Sequence, residues 1–196
     1  PGTLGISCIK KKKGIDWDME VYDLRGYDPK GRIDDAPFGG GGGMIIRCDV
    51  VHNWIKNENL GKLRKFYLSP RGKVFNQGMV DDLTSHDIVL LCGRYEGVDQ
   101  RVIDYWGFEE ISIGDFILHG GEVGAMVILE ACLRKFAVKN YHLGDSFSNI
   151  LLEHNQYTRP RAWFPDTDKA YVIPEILVSG NHAEVEMWKK NNSISN

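Results

Sequence analysis

No apolar run in this chain approaches the length needed to cross a membrane, and no stretch resembles a secretory signal. Cysteine is sparse. Cys8, Cys48, Cys92 and Cys132 lie far apart, with no CxxC pair and no histidine at ligand spacing. That pattern argues against a structural zinc site and reads as reduced, buried thiols, so a cytoplasmic protein with no protein-built metal site is expected. An excess of positive charge is also missing, since 24 Lys and Arg face 27 Asp and Glu for a net charge of −3. Such a chain does not grip nucleic acid over its whole surface. Any contact must come from local patches: 10–13, Arg71 with Lys73, Arg159 with Arg161, or Lys189 with Lys190. No internal repeat is visible. What is present is 196 residues with 42% hydrophobic content, enough for one good core or a main domain with a smaller appendage.

The chemistry-bearing stretch runs from Val89 to Glu122. The apolar run Ile88–Cys92 is short and rich in β-branched residues, which predicts a buried parallel strand. It ends in Gly93-Arg94-Tyr95-Glu96-Gly97, a charged turn between glycines. A second strand-like run covers Glu110–Gly114, and a third, Phe116-Ile117-Leu118, drops into His119-Gly120-Gly121-Glu122 at the start of a helix. Three strand ends finished by glycine describe a pocket made of main chain, a cofactor site by architecture, although each glycine by itself also suits a tight turn.

Elsewhere, Trp17–Leu24 alternates apolar and polar residues and predicts a half-buried strand, followed by a polar loop over Arg25–Asp35. Gly39–Gly43 is either a loose connector or a backbone surface that a ligand approaches closely; it lacks the Lys-Ser/Thr of a phosphate-binding loop. Asp49 is expected to cap a helix reaching Asn57 with Val50, Val51, Trp54 and Ile55 inward. Lys65–Leu68 predicts a strand closed by a turn at Ser69-Pro70-Arg71-Gly72, and Gln77–Thr84 a helix. Strands alternating with helices imply a parallel α/β sheet. The helix after Gly121 has a broad apolar face (Val123, Met126, Val127, Leu129, Ala131, Leu133, Phe136), with Arg134 in its last turn. Asp145 reads as the cap of a helix through Leu152, and Asn181-His182-Ala183-Glu184 as a capping box opening a last helix. Tyr157–Trp163 mixes bases with aromatics, a composition that suits RNA and also suits a packed loop.

Seven motifs then occur in order. They are Ile33-Asp34-Asp35 with the glycine loop, Tyr67-Leu68-Ser69-Pro70, Leu91-Cys92-Gly93-Arg94-Tyr95-Glu96-Gly97, Ser112–Phe116, Gly120-Gly121-Glu122, Tyr157-Thr158-Arg159-Pro160 and Ser179–Glu184. From Trp17 to Trp188 the series resembles the bacterial tRNA (guanine-N1)-methyltransferases of the SPOUT class. The resemblance implies an α/β fold with a deep trefoil knot between Tyr67 and Leu118, and a small, mainly helical C-terminal domain. The knotted domain would span 1–137, a linker 138–144, and a shortened tRNA-binding domain 145–196. An obligate homodimer with its active site at the subunit interface is implied as well, as is S-adenosylmethionine bound among the knot loops. The implied cofactor-lining residues are Tyr67, Leu68, Ser69, Pro70, Gly93, Tyr95, Glu96, Ser112, Ile113, Gly114, Phe116, Leu118, Gly120 and Gly121. The implied reaction methylates N1 of the guanosine at tRNA position 37, 3′ of the anticodon.

Guanine N1 carries a proton and is a poor nucleophile until that proton leaves. A carboxylate within reach is the natural base, and a fixed guanidinium offsets the charge that spreads to O6. The resemblance assigns these roles to Asp145 and Arg134. The family's methyl transfer is associated with magnesium, for which Glu96 is the matching carboxylate. The chain departs from the family pattern at Gly42 and Gly124, where proline is usual, and at Ala36, where arginine is usual; these changes loosen the loops around the pocket. The family's opening apolar strand and longer linker are not matched. Two alternatives stand beside this reading: a knotted methyltransferase acting on another RNA site, and a non-catalytic RNA- or nucleotide-binding module. The second is disfavoured by Arg134 and Asp145, since a binder needs no proton acceptor beside the base.

Overall fold

The computed structural model describes residues 18–138, 151–152, 154–165 and 169–195. It divides into two units, Pro1–Tyr141 and His142–Asn196. In the first unit the elements are β1 (Asp34–Asp35), β2 (Ile45–Ile46), α1 (Cys48–Asn57), β3 (Arg64–Val74), α2 (Gln77–Leu83), β4 (Ile88–Cys92), α3 (Gln100–Trp106), β5 (Glu109–Ser112) and α4 (Gly121–Val138). Strands β3, β4 and β5 form a parallel sheet in the order β4-β3-β5, which is the α/β arrangement expected.

Side-chain alternation along β3 builds a core on each face of the sheet. Tyr67 points into one cluster with Val51, Trp54 and Ile55 of α1 and Val102 and Ile103 of α3. Phe66 and Leu68 point into the other, with Val80 and Leu83 of α2 and Ala125, Ile128 and Cys132 of α4. The charged exception is Lys65, which is buried. Its ammonium donates to the carbonyls of Gly61 (2.9 Å) and Leu63 (2.7 Å), and burial lowers its pKa.

Several expectations need correction. The described part of the expected strand at 17–24 is not a strand; it leads into a 3-10 turn over Leu24–Tyr27, where Tyr22, Leu24 and Tyr27 pack against the first core. Arg47, not Asp49, occupies the N-cap of α1; Asp49 sits in the first turn, paired with Arg47. β3 does not end at Leu68. Both Leu68 and Lys73 lie opposite Ile111, so Ser69–Gly72 is a bulge inside one strand. Helix α3 follows the Gly97 turn where no helix was expected. Phe116, Ile117 and Leu118 form no strand and are exposed. On α4, Val123 and Val127 face outward while Ala125, Ile128, Cys132 and Leu133 are buried.

The second unit is not mainly helical among its described residues. It has two short antiparallel pairs, β6 (Leu151–Leu152) with β9 (Ile194–Ser195) and β7 (Ala162–Trp163) with β8 (Tyr171–Val172), a 3-10 turn over Glu175–Val178 and one α-helix, α5 (His182–Asn191). The Asn181 side chain caps α5 by accepting from the Glu184 amide (3.4 Å), as the capping-box pattern predicts. Of the helix expected from Asp145 to Leu152, the described residues Leu151 and Leu152 are a strand; the remainder lies outside the described residues. No helix among the described residues is long and apolar enough to cross a membrane.

Candidate active site

Sheet register sets the site. Leu68 lies beside Cys92 on one side and Ile111 on the other, so the carboxyl ends of β4 and β5 flank the middle of β3. In an open parallel sheet this is where ligands bind. Gly93 and Gly121 allow the elements to close up there. A Cβ on Gly93 would stand 2.9 Å from the Tyr67 ring, and one on Gly121 2.7 Å from Cys92 Cα and 3.0 Å from Leu68 Cβ. The Gly121 amide donates to the Gly93 carbonyl (2.9 Å), which seats the start of α4 on the end of β4. Arg94 bridges Gly120 in antiparallel fashion, and its Nε donates to Glu122 Oε1 (2.7 Å). Beyond β5, the buried Ser112 hydroxyl donates to the Gly114 carbonyl (3.0 Å) and accepts from the Gly114 amide (3.2 Å), fixing the turn around Ile113.

Tyr67, Leu68, Ser69, Gly93, Ser112, Ile113, Gly120 and Gly121 are thus gathered at the strand ends. Tyr95, held at φ 61, is exposed with Glu96, and so are Phe116 and Leu118. Burial raises the Tyr67 phenol pKa and pushes the Cys92 thiol up to about 11. Cys92 therefore stays a thiol at neutral pH and is not set up as a nucleophile.

A groove of about 820 Å³ extends from these strand ends. Tyr67, Ser69, Pro70 and Glu96 line it, along with Phe38, Arg47, Arg71 and Arg101. Its far wall is the β1–β2 hairpin, which carries the pentaglycine. The hairpin base is fixed by three hydrogen bonds: Glu96 N to Met44 O (3.0 Å), Ile46 N to Gly97 O (2.9 Å) and Asp99 N to Ile46 O (3.0 Å). The volume falls within the range of small-molecule sites. Neither Phe38 nor Arg101 was singled out in the sequence; the signal that could have found Phe38 is a lone aromatic beside five glycines.

Arg134 is exposed on α4, about 20 Å along the helix axis from Gly121 at the usual rise per residue. It is not brought to the strand ends of its own chain. Asp145 lies outside the described residues. Glu96 has no companions for a metal: among the described residues no group of three or more His, Cys, Asp or Glu could hold one.

The sequence model described as tRNA (Guanine-1)-methyltransferase TrmD matches residues 4–196. The chain belongs to the TrmD family. Similar members include a tRNA (guanine-N(1)-)-methyltransferase of Neorickettsia sennetsu, 39% identical over 204 aligned positions that cover 100% of this chain and 88% of the relative. The protein of the same name from Ehrlichia canis is 43% identical, with 98% and 85% covered. The one from Caulobacter vibrioides is 43% identical, with 97% and 79% covered. The glycine-closed carboxyl ends of β4 and β5, beside the middle of β3, are the candidate cofactor site.

Proposed function

We propose that this chain is a tRNA (guanine-N1)-methyltransferase that uses S-adenosylmethionine and acts on the guanosine at position 37, 3′ of the anticodon. The observation that carries the reading is the family match across residues 4–196. The convergence of glycine-finished strand ends beside a groove of about 820 Å³ supports it independently. S-adenosylmethionine supplies the methyl group. The chain's own groups hold and orient: Tyr67, Ser69 and Pro70 line the groove, and the missing side chains at Gly93 and Gly121 let the end of β4, the middle of β3 and the start of α4 close together beside it. Asp145 takes the proton from guanine N1, and the Arg134 guanidinium offsets the charge developing on O6. The donor set around Glu96 does not fit a protein-built metal site, so no step is routed through magnesium.

The distance between Arg134 and Gly121 along α4 fits an active site completed by a second subunit. Exposed apolar residues around the start of α4 (Phe116, Ile117, Val123 and Val127) supply a surface for that homodimer. The knot between Tyr67 and Leu118, an RNA-contacting role for the second unit and a cytoplasmic location belong to the same reading. In the second unit, Tyr157, Thr158, Arg159 and Arg161 share a cavity of about 370 Å³, a mix suited to RNA.

The test is methyl transfer from labelled S-adenosylmethionine to tRNA transcripts carrying guanosine or adenosine at position 37, with parent protein and Asp145→Asn. Label on the guanosine transcript alone, lost in the variant while cofactor affinity holds, is expected. Turnover by Asp145→Asn at the parent rate would show that another group takes the proton.

A further inference from the structure

The structure assigns to Phe38 a role as a stacking platform for a base of the RNA strand that enters the groove, an assignment that rests on the methyltransferase reading above. Phe38 is 98% exposed, yet it stands on a hairpin whose base is pinned by hydrogen bonds to Gly97, Asp99 and Glu96. Its ring lies in water at the rim of a groove that continues from Tyr67, Ser69 and Pro70. The space beside it is open, since a Cβ on Gly39, Gly40, Gly41 or Gly42 would meet nothing within 4 Å.

Charge decides what the groove takes. Its guanidiniums are already matched with carboxylates: Arg47 with Asp28 (3.3 Å) and Asp49, Arg101 with Asp99 (2.6 Å), and Arg71 with Glu110 (3.2 Å). With Asp35, Asp49, Glu96 and Asp99 lining the groove beside Arg47, Arg71 and Arg101, it offers no net positive charge to phosphates. A flat nucleobase is the better occupant. Single-stranded RNA loops offer unstacked bases, and aromatic side chains take them by their faces. Every base has such a face, so Phe38 adds affinity without choosing sequence.

The test compares parent, Phe38→Ala and Phe38→Trp on anticodon stem-loop RNAs that differ at the base on either side of the target guanosine. Phe38→Ala should raise the RNA KM by about tenfold or more on all of them alike, and Phe38→Trp should restore it. The kcat at saturating RNA, the cofactor Kd by calorimetry and the sedimentation coefficient should hold. An unchanged KM overturns the assignment. A weakened cofactor Kd overturns it in favour of the cofactor as the occupant, and a changed sedimentation coefficient in favour of a second copy of the chain. Fluorescence anisotropy with the same labelled RNAs, which needs no turnover, separates the two readings. If the parent binds RNA but transfers no methyl group, the methyltransferase reading fails, and the anisotropy difference between parent and Phe38→Ala then decides Phe38.

Discussion

Gly121 shows how much one residue controls at the strand ends. Any side chain there would press on Cys92 Cα and Leu68 Cβ, one backbone and one buried contact, with neither free to swing aside. Gly121→Ala should cost about 1–3 kcal/mol of stability, as overpacking does. It should also weaken S-adenosylmethionine binding, because the Gly121–Gly93 hydrogen bond joins two loops of the candidate cofactor site. Thermal unfolding and calorimetry check the two effects separately. Cofactor affinity equal to that of the parent would remove Gly121 from the site. The sequence already pointed to this glycine through its place between a strand-like run and a helix. Phe38 escaped notice because exposure belongs to the fold, and a phenylalanine in a sequence reads as core until the fold leaves it in solvent.

At the scale of elements, α3 is held by its first turn. Asp99 accepts from the Arg101 amide (3.0 Å) and pairs with the Arg101 guanidinium (2.6 Å), and this pairing lowers the Asp99 pKa. A carboxylate with a depressed folded pKa stabilises the fold above its ordinary range and loses that contribution as pH falls through the lowered value. Asp99→Ala should therefore cost about 1 kcal/mol near neutral pH, a typical N-cap loss, and the gap from the parent should close as pH drops below about 4. Urea unfolding at several pH values measures it; a gap independent of pH would mean that the Asp99 charge is idle. Element type was legible wherever an apolar period ran unbroken: α1 with Val50, Val51, Trp54 and Ile55 inward, β4 as a β-branched run, and α4. It was illegible where long-range contacts set the outcome. The bulge in β3 exists because Lys73 returns to pair beside Ile111, a residue far away in sequence. The stretch before Leu24 alternates like a strand, but its described residues pair with no strand, and Tyr22 packs on Trp54 instead.

For the whole molecule, the proposed role of Arg134 has to be squared with its place far along α4 from Gly121. Ile117 is 86% exposed beside Phe116, Val123 and Val127, and an isolated chain has no use for that much apolar surface. Ile117→Asp should leave monomer stability within about 0.5 kcal/mol, as exposed substitutions do, while shifting sedimentation from dimer to monomer and reducing turnover. A parent chain that sediments as a monomer at every concentration would refute the dimer.

By itself the sequence determined the alternation of strands and helices, the glycine-finished strand ends and, through seven motifs in order, the family. These are local or collinear properties, written in periodicity and in residue type at fixed spacing. Only the tertiary structure decided that Leu68, Cys92 and Ile111 stand side by side and that Phe38 and three paired arginines face one groove. Those relations depend on sheet register and on packing between distant segments, and no window along the chain contains them.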